Sequence, residues 1–228
     1  MNSKELEFAT TINRLDFAAS AGWAGLRFSG HLTQLGVFLS HMDFSRVSLS
    51  RAKLEGVDMS NSNFFGAYMD QSRLTRCNID GCNFSQSLLS DAGIIETAGE
   101  NGSFYKSNLR SIRIEKTQLL RFNFDECNLS GATFGGSNLK DCTFRKALFS
   151  RSNRYSHRAP TQVGGTFTGC DFAEADMRHV VFDGWVFQDA HLTEALLTGS
   201  NFSGAAFVGL TTWPDGVQDN EIRWEEFV

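Results

Sequence analysis

The stretch NLSGATFGGSNLKDCTFRKALF, residues 128–149, decides the fold. In it a large apolar residue returns at every fifth position: Leu129, Phe134, Leu139, Phe144 and Phe149. Two places before each stands a small residue: Cys127, Ala132, Ser137, Cys142 and Ala147. A strand repeats its faces every two residues and a helix every 3.6, so neither accounts for a period of five.

The beat extends in both directions. Its large residues, the centres, run from Phe44 to Ile94, miss at Gly99, and resume in phase from Phe104 to Phe149. After a break they return from Phe167 to Phe207. Repetition of this length overrides local helix and strand readings. The residue just before a centre is often Asn or Asp, as at Asp43, Asn63, Asn83, Asn123, Asp171 and Asn201. Such side chains bond nearby backbone groups and favour turns. Each unit therefore reads as a short extended piece plus a turn, with one large and one small side chain pointing inward.

Units such as CNF (82–84), CNL (127–129), SNL (137–139), CDF (170–172) and ADM (175–177) resemble the A(D/N)LXX units of the pentapeptide-repeat family, over residues 39–209. The resemblance implies an all-β fold, a right-handed quadrilateral β-helix with four units per coil. The sequence carries the matching second period. Phe44, Phe64, Phe84, Phe104, Phe124 and Phe144 are spaced by twenty, and all are Phe. The next rung is due at position 164, but the nearest candidate is Phe167, three places late, followed by Phe187 and Phe207. One account is a coil with about three extra residues, after which the Phe side resumes. The other is a unit replaced by a longer bulge, with the sides rotated. The Phe ladder favours the first and predicts about nine coils.

Residues 1–38 lack the beat and read as an N-terminal cap, with Trp23, Leu26 and Phe28 starting a degenerate first coil. Residues 39–209 form the β-helix, with a loop insertion at 150–166. Residues 210–228 form a C-terminal cap or dimer contact through Trp213, Ile222, Trp224 and Phe227. A coiled sheet exposes strand edges at its ends and needs such caps.

No catalytic constellation accompanies the repeat. There is no GxSxG, P-loop or GxGxxG, and His31, His41, His157, His179 and His191 fall in no metal-ligand spacing. The chain reads as a non-enzyme without cofactor or metal, its function carried by outer faces or ends. All five cysteines fall two places before a centre, where a free thiol acts as a small hydrophobe. On the favoured register Cys82 and Cys142 share a side three coils apart, and Cys127 and Cys170 share one two coils apart. Both separations are beyond the reach of a disulfide. Reduced cysteines, no apolar leader and no membrane-spanning run predict a cytoplasmic protein. A secretion signal read by a dedicated export machine escapes this test.

Charge is uneven. The net charge is −5, yet residues 167–228 hold eleven acids against two bases, a sum of −9. This excludes a generic basic nucleic-acid binder. The candidate acidic face is Asp171, Glu174, Asp176, Asp183, Asp189 and Glu194. The insertion is basic, and its candidate partner-binding residues are Arg151, Arg154, Tyr155, His157 and Arg158. The resemblance implies one function directly. Members of the quinolone-resistance subgroup mimic DNA and bind DNA gyrase or topoisomerase IV, in protection or inhibition. The alternative is a bacterial effector or secretion-associated scaffold using the rod faces and the loop. Either way a protein partner is expected, and a terminus can also meet a second copy.

Overall fold

The computed structural model describes residues 27–29, 39–149, 164–219 and 223–228. They form a coiled β-solenoid with four sides, named here by their first centres from residue 44 on: the Phe44, Leu49, Leu54 and Met59 sides. On the Leu54 side, β1 (Arg27–Ser29), β2 (Lys53–Glu55), β3 (Arg73–Thr75), β4 (Gly93–Ile95) and β6 (Arg113–Glu115) form one parallel sheet. On the Met59 side, β5 (Ala98–Glu100), β7 (Gln118–Leu120), β8 (Asn138–Lys140), β9 (Thr166–Thr168), β10 (Val186–Gln188) and β11 (Ala206–Val208) form another. The other two sides are joined by parallel bridges such as Asn63↔Asn83 and Tyr68↔Leu88. A short antiparallel pair, β12 (Thr211–Thr212) with β13 (Gln218–Asp219), closes the Phe44 side.

Why five residues make one side follows from the backbone. The second residue after each centre turns a corner in the left-handed region, with φ between +51° and +61° at non-glycine residues such as Arg51, Lys106 and Glu194. That conformation is uphill for side chains with a Cβ. It persists because the corner N–H is satisfied by the next coil, as in Lys106 N–H to Asp125 C=O at 3.0 Å. The Asn and Asp residues before the centres act as expected. Asn63, Asn83 and Asn123 each accept the N–H two residues on, at 2.7–3.2 Å. Asn83 also donates to Asn63 on the coil below at 3.1 Å, so these amides form a ladder along the rod.

The centres fill the interior. Phe44, Phe64, Phe84, Phe104, Phe124 and Phe144 are buried, and their rings stack at 4.7–5.0 Å with interplanar angles of 5–18°. The next rung corrects the expected ladder. Phe144 stacks on Phe172, at 4.9 Å and 7°, and not on Phe167. Thr143 bridges Asp171, while Leu139 pairs with Phe167 in the β8–β9 register. The step across the break is thus 28 residues, from Phe144 to Phe172, eight more than a regular coil. Phe167, Phe187 and Phe207 belong to the Met59 side, one side away from the Phe44 stack. The rotated-side account is the correct one. The identity of the ring misled because the sequence offers Phe at both 167 and 172, and only backbone pairing chooses between them. Seven turns separate Phe44 from Leu192, somewhat fewer than the nine coils expected, and Trp213 adds one further rung.

The miss at Gly99 has a packing cause. Phe122 is a large residue in a small-residue position and is fully buried. A Cβ on Gly99 would stand 2.9 Å from its ring, and one on Gly102 would stand 2.4 Å from it. The two glycines surrender the volume that Phe122 takes. Trp185 is a second large residue in a small-residue position, buried and stacking on Phe167 at 4.5 Å.

Of residues 1–38 the structure describes only β1. Phe28 aligns with Leu54 through β1 and β2, extending the Leu54 side by one strand. The remainder of 1–38 lies outside the described residues.

Candidate functional site

The six candidate acids do not share a face. Asp171 lies on the Phe44 side, Asp176 on the Leu49 side and Asp183 on the Leu54 side, while Asp189 sits at the corner entering the Phe44 side. Only Glu174 and Glu194 stack, at one corner on consecutive coils, with Glu174 N–H bonded to Thr193 C=O at 2.9 Å. Asp171 faces Arg145 at 3.5 Å, Glu174 faces Lys146 at 3.3 Å, and Asp176 takes a two-pronged contact from Arg178 at 2.7 and 2.9 Å. The Arg178 guanidinium holds the Asp176 carboxyl below its ordinary range. Asp189 accepts the N–H of Leu210 at 3.0 Å.

Elsewhere the corners carry ladders of alternating charge. Arg76, Glu96 and Lys116 alternate along one corner, with Glu55 beside it pairing with Arg76, and Lys106 meets Glu126 at 3.3 Å along another. These groups are exposed, and each such pair contributes at most about 1 kcal/mol. Their larger effect is to leave a mixed surface rather than a continuous acidic stripe among the described residues.

The C-terminal end is different in character. Trp213 is buried and takes the rung after Leu192, whose N–H bonds Thr212 C=O at 2.7 Å. Trp224 packs against Phe202 at 5.9 Å, and Phe227 stacks on Trp213 at 6.2 Å. Three of the four residues expected in a cap thus lie at the last coil, and Ile222 falls outside the described residues. Arg223 fixes this tail, donating to Asp215 at 2.9 Å and to Glu226 at 2.7 Å. Around the cap, apolar side chains face outward. Val208, Leu210 and Val217 are each about half exposed, at 48%, 50% and 49%. β11, which carries Val208, is the outermost strand of its sheet.

The five basic-loop candidates, Arg151, Arg154, Tyr155, His157 and Arg158, lie outside the described residues. An open groove of about 440 Å³ crosses the Met59 side, lined by Asn78, Asp80, Gly99, Glu100, Gln118 and Lys140 among others. Its two acids are tied down. Asp80 accepts the Glu100 N–H at 2.8 Å, and Glu100 pairs with Arg121 at 3.1 Å. Among the described residues, no group of three or more His, Cys, Asp or Glu could hold a metal ion. Nor is any helix among them long and apolar enough to cross a membrane.

All five cysteines are buried and free. Burial pushes the Cys77 thiol up to about 11 and the Cys82 and Cys127 thiols up to about 12, from an ordinary 9.0. Above pH 9 the unfolded chain loses thiol protons that the folded chain keeps. Stability should therefore fall with pH from 9 to about 11, by about 1 kcal/mol per pH unit for each such thiol. Urea titrations at pH 8, 9 and 10 should show this slope, shallower in Cys82→Ala by one thiol. An unchanged slope would mean that Cys82 ionises alike in both states.

The sequence matches the pentapeptide repeat region over residues 47–124, and pentapeptide repeats (8 copies) over 107–145, 123–153 and 184–209. The chain belongs to the pentapeptide-repeat family. Comparison with curated proteins returns no match. Among solved structures, the chain is similar to HetL, a pentapeptide repeat protein involved in heterocyst differentiation regulation from the cyanobacterium Nostoc sp. strain PCC 7120. The identity is 17%, over 96% of this chain and 100% of that one, with a TM-score of 0.39. It is also similar to a trypsin-treated form of QnrB1, a plasmid-mediated fluoroquinolone resistance protein, at 16% identity over 80% of this chain and 91% of that one, with a TM-score of 0.39. Rfr23, from the cyanobacterium Cyanothece 51142, matches at 16% identity over 90% and 99%, with a TM-score of 0.27.

Within this pentapeptide-repeat rod, two features escaped sequence reasoning. The exposure of Val208, Leu210 and Val217 was hidden because Leu210 and Val217 lie beyond the end of the beat at residue 209, where the five-residue phase no longer assigns a side chain inward or outward. The neighbouring placement of Cys142 and Cys170 was hidden by the rotated sides: Asp171 N–H bonds Cys142 C=O at 3.0 Å, so these two cysteines share a column on consecutive coils. Cys127 lies on a different side from Cys170, which corrects the expected pairing of that column. The spacing of 28 could have been found by aligning the Asx-centre pairs rather than the Phe residues.

Proposed function

We propose that this protein is a non-catalytic protein-binding rod that meets its partner through the C-terminal coils. The observation that carries this reading is the placement of exposed apolar groups. Of eight large apolar side chains exposed among the described residues, six lie from Val181 onward: Val181, Leu196, Val208, Leu210, Val217 and Val228. Three of these, Val208, Leu210 and Val217, belong to the last coil and its cap, and exposed apolar groups gathered at one end of the rod mark an interaction site. The surrounding chain, net −9 from residue 167 on, selects a partner with a basic rim. Type II topoisomerases have such a basic, DNA-binding surface, and gyrase and topoisomerase IV are the first partners to test. An effector or secretion-associated adaptor is the other reading. It is supported by the ion-paired, mixed-charge flanks, which do not imitate the uniform charge of DNA. A cytoplasmic location belongs to the first reading, and cell fractionation tests it.

Purified protein should bind its partner with an affinity that weakens as salt rises, because the rim charges are screened. Leu210→Asp with Val217→Asp should weaken binding at least tenfold, while Tyr68→Asp at the other end leaves it unchanged. All three residues are about half exposed, so the fold should tolerate the changes. Supercoiling and decatenation assays decide the partner. Inhibition or drug protection, lost in the double variant, supports topoisomerase binding. No effect on either enzyme favours the adaptor. Binding indifferent to both C-terminal substitutions would sink the contact surface itself.

A further inference from the structure

The 28-residue coil brings two thiols together. Thr143 bridges Asp171, and the Asp171 N–H bonds the Cys142 carbonyl at 3.0 Å. Cys142 and Cys170 therefore occupy the same inward position of the Phe44 side on consecutive coils, both fully buried. Their thiols make equivalent carbonyl contacts. The Cys142 thiol donates to Leu119 C=O at 3.6 Å, and the Cys170 thiol to Leu139 C=O at 3.5 Å, each on the coil below. One coil step is about 4.8 Å, inside the ~4.4–6.8 Å range of Cα separations that a disulfide spans. The other cysteines lack such a neighbour. Cys82 is followed in its column by Gly102, Cys127 stands between Ser107 and Ala147, and Cys77 between Val57 and Thr97.

We propose that Cys142 and Cys170 form a redox-controlled disulfide that staples the irregular coil. The bond would close the loop containing residues 150–163, joining the regular coils before and after it. A small disulfide such as glutathione disulfide supplies the oxidising equivalents. One protein thiolate attacks it, forming a mixed disulfide and releasing one glutathione thiolate. The second protein thiolate attacks the protein sulfur of that mixed disulfide, forming the Cys142–Cys170 bond and releasing the second glutathione. Two thiol protons leave, and two glutathione molecules are produced for each bond. Because both thiols are buried, exchange proceeds through local opening of the coil and is slow. Burial also holds the Cys170 thiol well above its ordinary range, with the Cys142 thiol adding to the effect.

The test incubates the folded full-length chain without denaturant in buffers of set glutathione disulfide to glutathione ratio. Free thiols are then trapped, and peptides mapped by mass spectrometry. The expected product has lost two hydrogens and yields one cross-linked peptide pair, Cys142 to Cys170. The link should vanish in both Cys142→Ser and Cys170→Ser and persist in Cys127→Ser. Oxidation should raise the melting temperature by several degrees in the wild type and not in the two serine variants. A link between other cysteines, glutathione adducts alone, or no link after exchange to equilibrium would overturn the proposal.

Discussion

Replacing Phe124 by alanine should destabilise the fold by about 3–5 kcal/mol, the range for deleting a fully buried ring. Phe124 is completely buried between Phe104, at 5.0 Å, and Phe144, at 4.7 Å, with nearly parallel rings in the second contact. Two aromatic contacts are lost as well as the buried area, each contributing about 0.5–1.5 kcal/mol beyond burial. The site cannot collapse to close the hole. The backbone of each coil is held by hydrogen bonds to the coils on both sides, as in Phe124 N–H to Thr143 C=O at 2.7 Å and Phe104 N–H to Asn123 C=O at 2.7 Å. A chain of this length loses roughly 2–4 °C for each kcal/mol, so the melting temperature should drop by roughly 6–20 °C. Phe124→Leu should lose clearly less, since it keeps most of the apolar volume. Equal losses for Leu and Ala would show that ring stacking, not volume, dominates. An unmoved melting temperature for the alanine variant would refute the stack.

The second large effect tests the exchange of volume between Phe122 and its glycines. Phe122→Ala should cost about 3–5 kcal/mol through the cavity it leaves. Gly99→Leu, which restores the regular centre, should nonetheless destabilise by about 1–3 kcal/mol. Its Cβ would stand 2.9 Å from the Phe122 ring and 2.6 Å from Ile79. Together the two changes should be less harmful than their sum, with a favourable coupling of about 0.5–3 kcal/mol, because the Leu side chain fills the space that Phe122 vacates. Urea unfolding of both single variants and the double variant measures this. Strict additivity would mean that Gly99 is not vacant on account of Phe122.

The two substitutions also show where reading the chain worked. Phe124 could be placed without coordinates, because period five and period twenty together assign a residue to a side and a coil. Gly99 could be recognised as an exception, but not explained. Its partner Phe122 is 23 residues away in sequence and adjacent only after the chain has wound once. The candidate acids behave likewise. Their number is a property of composition, whereas their dispersal over three sides and two corners depends on where each falls within its unit. Phe167 marks the sharpest divergence. A ladder traced by residue type placed it above Phe144, and the parallel register put it above Leu139.

Local rules set the rod. A small residue, an Asx turn former and a large apolar residue recur at fixed spacing, and hydrogen bonding with steric fit turns that recurrence into coils wherever it continues. The order of residues alone therefore determined the architecture, the inward positions of the five cysteines and the presence of a break. Winding decided the rest. The eight extra residues around the break shift every later residue by a side relative to a Phe-based count: Phe167 and Phe172 both offer a ring to Phe144, and the backbone pairing between coils selects Phe172. Only that pairing set Cys170 on Cys142. The folded end, with Trp213, Trp224 and Phe227 closing the last coil, in turn left Val208, Leu210 and Val217 facing outward.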